Sequence, residues 1–285
     1  MQLKSWVCPA VIMGLVIGAL CRDARADEEP AEELSGWQRL FREHAAGYRF
    51  ELGEKNEAEV KLVAKPVLQW SQPVRGGADG AVFVWTQAGR PVAIGTLFIW
   101  PTDDGRQGVA HELHSLSTSP FVAIWRDRKW TPPRDSVAWK PLPAMRAAAA
   151  TAEQRLRQMR DAARQFQAES TDKKDQKWDL RLLPRPIYRY ELVGADAPPE
   201  GDREVSDGAL FGFVEGTDLE IVLAIQARKA AKGRQWEYAL ARMSDFRLKV
   251  SRDEKVVWEV APTGFDNPRV AYYCSTVEFR ATADE

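Results

Sequence analysis

Cysteine and histidine are both scarce, with three of each in 285 residues. Cys8 and Cys21 fall within the first 26 residues, so Cys274 is the one thiol beyond them. One thiol closes no disulfide within the chain, and the fold must be held by packing. The alternation in AYYCST makes Cys274 a packed thiol on a C-terminal strand. So few thiols and imidazoles argue against a tetrahedral zinc site, and CxxCH haem attachment is excluded. The chain also lacks a GxSxG elbow, a GxxxxGK[ST] phosphate loop and a GxGxxG dinucleotide loop, so no cofactor and no metal are expected. Forty basic residues stand against 41 acidic ones, a net charge of −1. That balance argues against a protein that coats nucleic acid or an anionic membrane by its overall field. Carboxylate pairs for sugar hydrolysis, and metal sites built from carboxylates alone, leave no linear trace and stay open.

The first residues, MQLKSWVCPAVIMGLVIGALCRDARA, place Lys4 before an apolar run from Val11 to Leu20, followed by the small-x-small pattern Ala24, Arg25, Ala26. This predicts a signal peptide over 1–26, cleaved near Ala26, and a periplasmic or extracellular destination. The run is about half the ~20 residues that a membrane-spanning helix needs, and no later segment is long enough to span. DEEPAEE continues the chain as an acidic leader over 27–34, and a single domain over 35–285 is expected to follow.

Trp37, Leu40, Phe41 and His44 recur at helical spacing behind Ser35, which predicts a short N-terminal helix with His44 at its polar edge, facing the helix dipole. Short β-rich runs with Gly-rich turns then occupy Tyr48 to Trp139. Over about 144–167, Met145, Ala149, Ala152, Leu156, Met159, Ala163 and Phe166 alternate steps of four and three. They predict one long amphipathic helix. Arg146, Arg155, Arg157, Arg160 and Arg164 lie outside that seam, as a solvated face or a face for an anionic polymer. More strands follow. The expected fold class is therefore α+β, mainly antiparallel sheet with one short and one long helix. GAVFVWTQAGRPVAIGTLFI and GALFGFVEGTDLEIVLAIQA share a Gly-Ala start, a phenylalanine, a glycine turn and a long return strand. They leave open two β-rich halves, 35–142 and 178–285, joined by the helix.

The blocks VFVWTQAGRPVAIGTLFIWP, HELHSLS, RLLPRPIYRYE and GALFGFVEGTD resemble an uncharacterised family of secreted proteins of planctomycete type. That resemblance implies export and a common fold. It implies no activity and assigns no functional residue.

Two of the three histidines stand in VAHELHSL. Zinc proteases use histidines four apart on a helix. Here the spacing is three and the setting alternates, so His111 and His114 should leave a strand on opposite faces. With the simplest turn registers, Phe83 lies opposite Gly95, Trp85 opposite Ala93, and Gly95 opposite His114. This gathers Phe83, Trp85, Glu112 and His114 around a residue without a side chain. Glu112 and His114 could then serve as an acid–base pair, or His114 could simply make one hydrogen bond in a packed sheet. Eleven tryptophans are the compositional excess. In IWRDRKWTPP, Trp125 and Trp130 interleave with Arg126 and Arg128, a pattern suited to stacking on a sugar or a partner surface. The expectation is a non-catalytic binding or structural domain for a polysaccharide or another envelope protein. A small-substrate enzyme using Glu112 and His114 is the alternative.

Overall fold

The computed structural model describes residues 36–53, 59–72, 78–101, 107–143, 145–192, 205–230 and 233–279. The expected signal peptide and acidic leader lie outside the described residues. The chain is read in two halves. The first runs through α1 (Gly36–Ala46), β1 (Arg49–Leu52), β2 (Val60–Leu62), β3 (Leu68–Gln72), β4 (Ala78–Gln87), β5 (Arg90–Pro101), β6 (Gln107–Ser115), β7 (Phe121–Trp125) and β8 (Arg128–Trp130), and ends in β9 (Lys140–Pro141). The second runs through α2 (Ala152–Ala163), β10 (Phe166–Thr171), β11 (Lys177–Leu182), β12 (Tyr188–Glu191), β13 (Val205–Glu215), β14 (Asp218–Ala230), β15 (Gly233–Arg242), β16 (Arg247–Arg252) and β17 (Lys255–Val260), and ends in β18 (Tyr272–Phe279).

The pairings repeat residue for residue. Leu62 faces Trp85 as Leu182 faces Phe213; Phe83 faces Gly95 as Phe211 faces Leu223; Phe50 faces Ala123 as Ala168 faces Val250. Irregular backbone repeats too. Val63 and Val67 donate to Val84 and Val82, while Leu183 and Ile187 donate to Gly212 and Leu210. In both copies a glycine on the central hairpin makes room for a ring from the neighbouring strand. A Cβ on Gly80 would lie 2.4 Å from Trp70, and one on Gly208 2.3 Å from Tyr190. The turns agree with the strands they join. Ala88 and Gly89 (φ 47° and 80°) and Asp253 and Glu254 (φ 50° and 62°) take the left-handed conformations whose twist matches a tight hairpin.

Strand order in the second half is β17-β16-β10-β11-β13-β14-β15-β9, with β12 paired to β13. In the first half it is β8-β7-β1 in one sheet and β2-β4-β5-β6-β18 in another, with β3 paired to β4. The last strand of each order comes from the end of the other half. β9 pairs with β15, and β18 with β6. Every pairing is antiparallel.

Both faces of the central hairpins are covered, which is why their sequences run apolar without a polar face. Phe83, Trp85 and Leu113 pack with Phe41 and Ala45 of α1. Phe211, Phe213 and Ile221 pack with Met159, Ala162 and Ala163 of α2. The opposite faces meet each other through Val82, Val84 and Ile94 against Leu210, Val222 and Ala224. Helix, sheet, sheet and helix thus form four layers. No helix among the described residues is long and apolar enough to cross a membrane.

The expected long helix is corrected. The described structure is mostly antiparallel sheet with two short helices. Thr151 caps α2 by accepting from the Gln154 N–H, and the chain before it is extended because side chains engage its backbone. Arg155 donates to the Ala149 and Ala150 carbonyls, Gln158 to Ala147 and Trp236 to Arg146. These bonds override the helix propensity of the alanine run. At the other end Phe166 leaves the helix and pairs with Arg252 in β10. Nor is Arg155 solvated: it is buried on the Asp207 carboxylate at 2.5 Å. α2 stands in its half where α1 stands in the first.

Candidate functional site

Gly80 decides where the site forms. With no side chain there, the Trp70 ring lies across β4 and reaches Phe98 on β5, 5.8 Å between ring centres. Phe98 in turn meets Trp100, two residues on along the same face, at 6.2 Å. The three rings form a row along one wall of a cavity of about 440 Å³ at the edge of the sheet–sheet core. Glu112 of β6 and Cys274 of β18 line it too, together with Asp218 and Glu220 from the start of β14 and Asp245 and Phe246 from the β15–β16 connection. Trp100 and Phe265 stand at the mouth, 53% and 54% exposed. Lys173 pairs with Asp245 at 2.7 Å and lies 5.2 Å from the Phe265 ring centre. Its turn is set by Asp172, whose carboxylate accepts from the Lys174 and Gln176 N–H groups.

Glu112 is buried, and Tyr272 donates to its Oε1 at 2.5 Å. Burial first, then the charges of Asp218, Glu220 and Asp245, push its pKa well above the usual carboxylate range. Its surroundings therefore favour the protonated form over the ionised one. Arg242 lies over the Tyr272 ring at 5.2 Å and donates to the carbonyls of Ser244, Phe246 and Ala261.

The repeat supplies an internal comparison, because the second half builds the same groove and fills it. There Tyr190 stands in the place of Trp70, Gln226 in that of Phe98, Arg228 in that of Trp100, and Arg90 of the first half in that of Asp218. Arg90 donates to Gln226, Tyr190 donates to the same oxygen, and Gln226 and Arg228 both donate to Glu237. One groove is closed by its own side chains and the other is open.

The residues singled out in the sequence are distributed differently from expectation. β6 is a strand, and His111 and His114 leave it on opposite faces. Phe83 does face Gly95, and Trp85 faces Ala93, but Gly95 faces Leu113 rather than His114. That one-residue difference in the β5–β6 register separates the proposed group. Phe83 and Trp85 are core beneath α1, Leu113 fills the space over Gly95, and Glu112 and His114 lie on the other face. Even there the two do not pair, since His114 Nδ1 bonds the Ser115 carbonyl and Glu112 bonds Tyr272. Trp125 and Trp130 are also inside, their indole N–H groups donating to the carbonyls of His44 and Val270. Arg126 covers the Trp125 ring at 4.4 Å. The β7–β8 hairpin therefore presents no open aromatic face.

His44 is not a polar-edge residue. Its Nδ1 meets His111 Nε2 at 2.9 Å, and His111 Nδ1 meets the Tyr48 hydroxyl at 2.7 Å. Either tautomer arrangement lets two neutral imidazoles and the hydroxyl satisfy both contacts. Burial, then Arg126, holds His44 down to about 4; burial, then His44, Arg128 and Arg126, hold His111 down to about 3. The second half puts Ala162, Phe166 and Tyr238 at these positions. The chain of rings ties α1 to β6. Among the described residues no three His, Cys, Asp or Glu side chains group as metal ligands.

Sequence reasoning missed Trp70, Phe98 and Trp100. The signal available was the repeat itself: KLVAKPVLQW matches RLLPRPIYRY, and Gly80 matches Gly208. Comparison with protein-family models, with curated proteins and with solved structures found no match to this chain.

Proposed function

We propose that this chain is an exported, non-catalytic binding domain that holds a glycan in the open cleft. One observation carries the reading: the Trp70–Phe98–Trp100 row runs beside Glu112, Asp218, Glu220 and Asp245 in a single cavity, while the matching groove of the repeat is filled. Flat rings suit the C–H faces of sugars, and carboxyl groups accept from their hydroxyls. Glu112 and His114 have separate partners, so the geometry gives no support to an acid–base pair between them.

The test is tryptophan-fluorescence titration of the purified chain with soluble oligosaccharides, using wild type and Trp100→Ala. Trp100 is half exposed, so its removal should leave the fold intact and weaken binding at least about tenfold, from the ~1.5–3 kcal/mol that burying a large apolar side chain contributes. Unchanged affinity in Trp100→Ala would eliminate the cleft as the site. Sequencing the amino terminus of the protein purified from its native host checks export, and a start at Asp27 is expected.

A further inference from the structure

The filled groove indicates what the open one accepts. Its occupant is a cation: Arg90 is 3% exposed, with its guanidinium 5.9 Å from the Trp139 ring centre and within reach of Gln226 at 3.4 Å. Each feature of that setting has a counterpart in the open cleft. Trp70 and Phe98 replace Tyr190 and Gln226, Trp100 replaces Arg228, Cys274 replaces Trp139, and Glu112 replaces Ala239. The position of the cation itself is inverted in charge, since Asp218 stands where Arg90 does. Glu220 stands where the other half has Val92. Where the repeat sets a guanidinium beside an aromatic ring, the open cleft thus sets carboxylates beside aromatic rings and leaves the space between them to a ligand.

We propose that the open cleft binds the ammonium group of an amino sugar, seated between Asp218, Glu220 and the Trp70–Phe98–Trp100 row. The proposal rests on the glycan-binding reading and adds the charge of the sugar. A cation over aromatic faces gains from their quadrupoles, and more so when it is desolvated. Charge of the right sign is present at the same place. Asp218 and Glu220 line the cavity together with the rings, and Lys173 of the same lining is held by Asp245. The negative charges already act on Glu112, which faces Asp218, Glu220 and Asp245.

The experiment is titration of the full chain with a fully deacetylated glucosamine oligomer and with its N-acetylated counterpart of equal length, in mildly acidic buffer at low and high salt. The deacetylated oligomer should bind at least tenfold tighter, and salt should weaken it selectively. In Asp218→Asn/Glu220→Gln this preference should collapse, while Trp100→Ala should weaken both ligands. Equal or tighter binding of the N-acetylated oligomer would overturn the cation and leave the glycan reading standing. If neither oligomer binds, both readings fall. Binding of a lysine-rich peptide in preference to either oligomer would overturn the amino sugar in favour of a protein partner.

Discussion

Replacing His44, Tyr48 and His111 by Ala, Phe and Tyr copies the second half's own solution into the first. It should remove much of the chain's sensitivity to acid. In the unfolded chain each histidine has its ordinary value of 6.5, whereas the fold holds His44 at about 4 and His111 at about 3. Between those limits the unfolded state takes up protons that the folded state refuses, so stability is highest above 6.5 and falls as pH falls. Going from pH 7 to pH 5 costs about 2 kcal/mol for each such histidine, or about 4 kcal/mol for the pair. His114, also lowered to about 4, adds a similar loss in wild type and variant alike. Glu112 runs the other way. Its folded value is raised, so its stabilisation is fully present below the ordinary carboxylate value and is lost as pH rises toward the folded one. Neither group is altered, so the difference between the proteins isolates the pair. Urea midpoints at pH 7, 6 and 5 measure it, with stability from the linear extrapolation. The variant should lose about 4 kcal/mol less than wild type over that range, and His44→Ala alone about half as much less. A triple variant whose stability falls with pH as steeply as wild type's would refute the neutral histidine chain.

Burial disfavours the charge on Glu112, and Glu112→Gln puts a neutral amide of the same shape in its place, so the melting temperature at pH 8 should rise or hold while its decline with rising pH flattens; a lower value at pH 8 would refute that the site disfavours the charge. Asp207 is fully buried between Arg155 and Arg189, and Asp207→Asn should cost about 3–5 kcal/mol in urea unfolding by leaving the buried Arg155 guanidinium without its carboxylate. Gly80→Ala and Gly208→Ala drive a methyl into Trp70 and Tyr190 respectively, and each should destabilise by about 1–3 kcal/mol. Only Gly80→Ala should also impair glycan titration, because only it displaces a ring of the open cleft.

The strands were legible because alternation and turn residues are local. The partners of Phe83 and Trp85 on β5 were anticipated, but they arise in two steps: the two-residue turn pairs Gln87 with Arg90, and a β-bulge between Trp85 and Thr86 then shifts the register by one to set Phe83 opposite Gly95. The β5–β6 register did not follow, because its connection is longer and a shift of one residue keeps the same composition while exchanging faces. The alanine run before α2 shows the opposite failure. Its spacing and propensity are helical, but Arg155 and Gln158 of α2 fold back onto its backbone from six and eleven residues away, and Trp236 bonds it from 90 residues away. His44 looked amphipathic for the same reason: its partner is 67 residues away. The cleft was least legible, since its wall draws on β3, β5, β6, β14 and β18. Only the pairing of Gly80 with Trp70, and of Gly208 with Tyr190, carries a trace of it in the order of residues.

The traded strands β9 and β18 make each half the custodian of the other's border. Tyr272 through Phe279 lie hydrogen-bonded along the whole of β6, so shortening the carboxyl end would unzip not the half that precedes it but the one synthesised first. Glu112 would lose Tyr272 and the cleft would lose Cys274 and Thr276, so the wall of the first half's groove is complete only once β18 has been made and has docked.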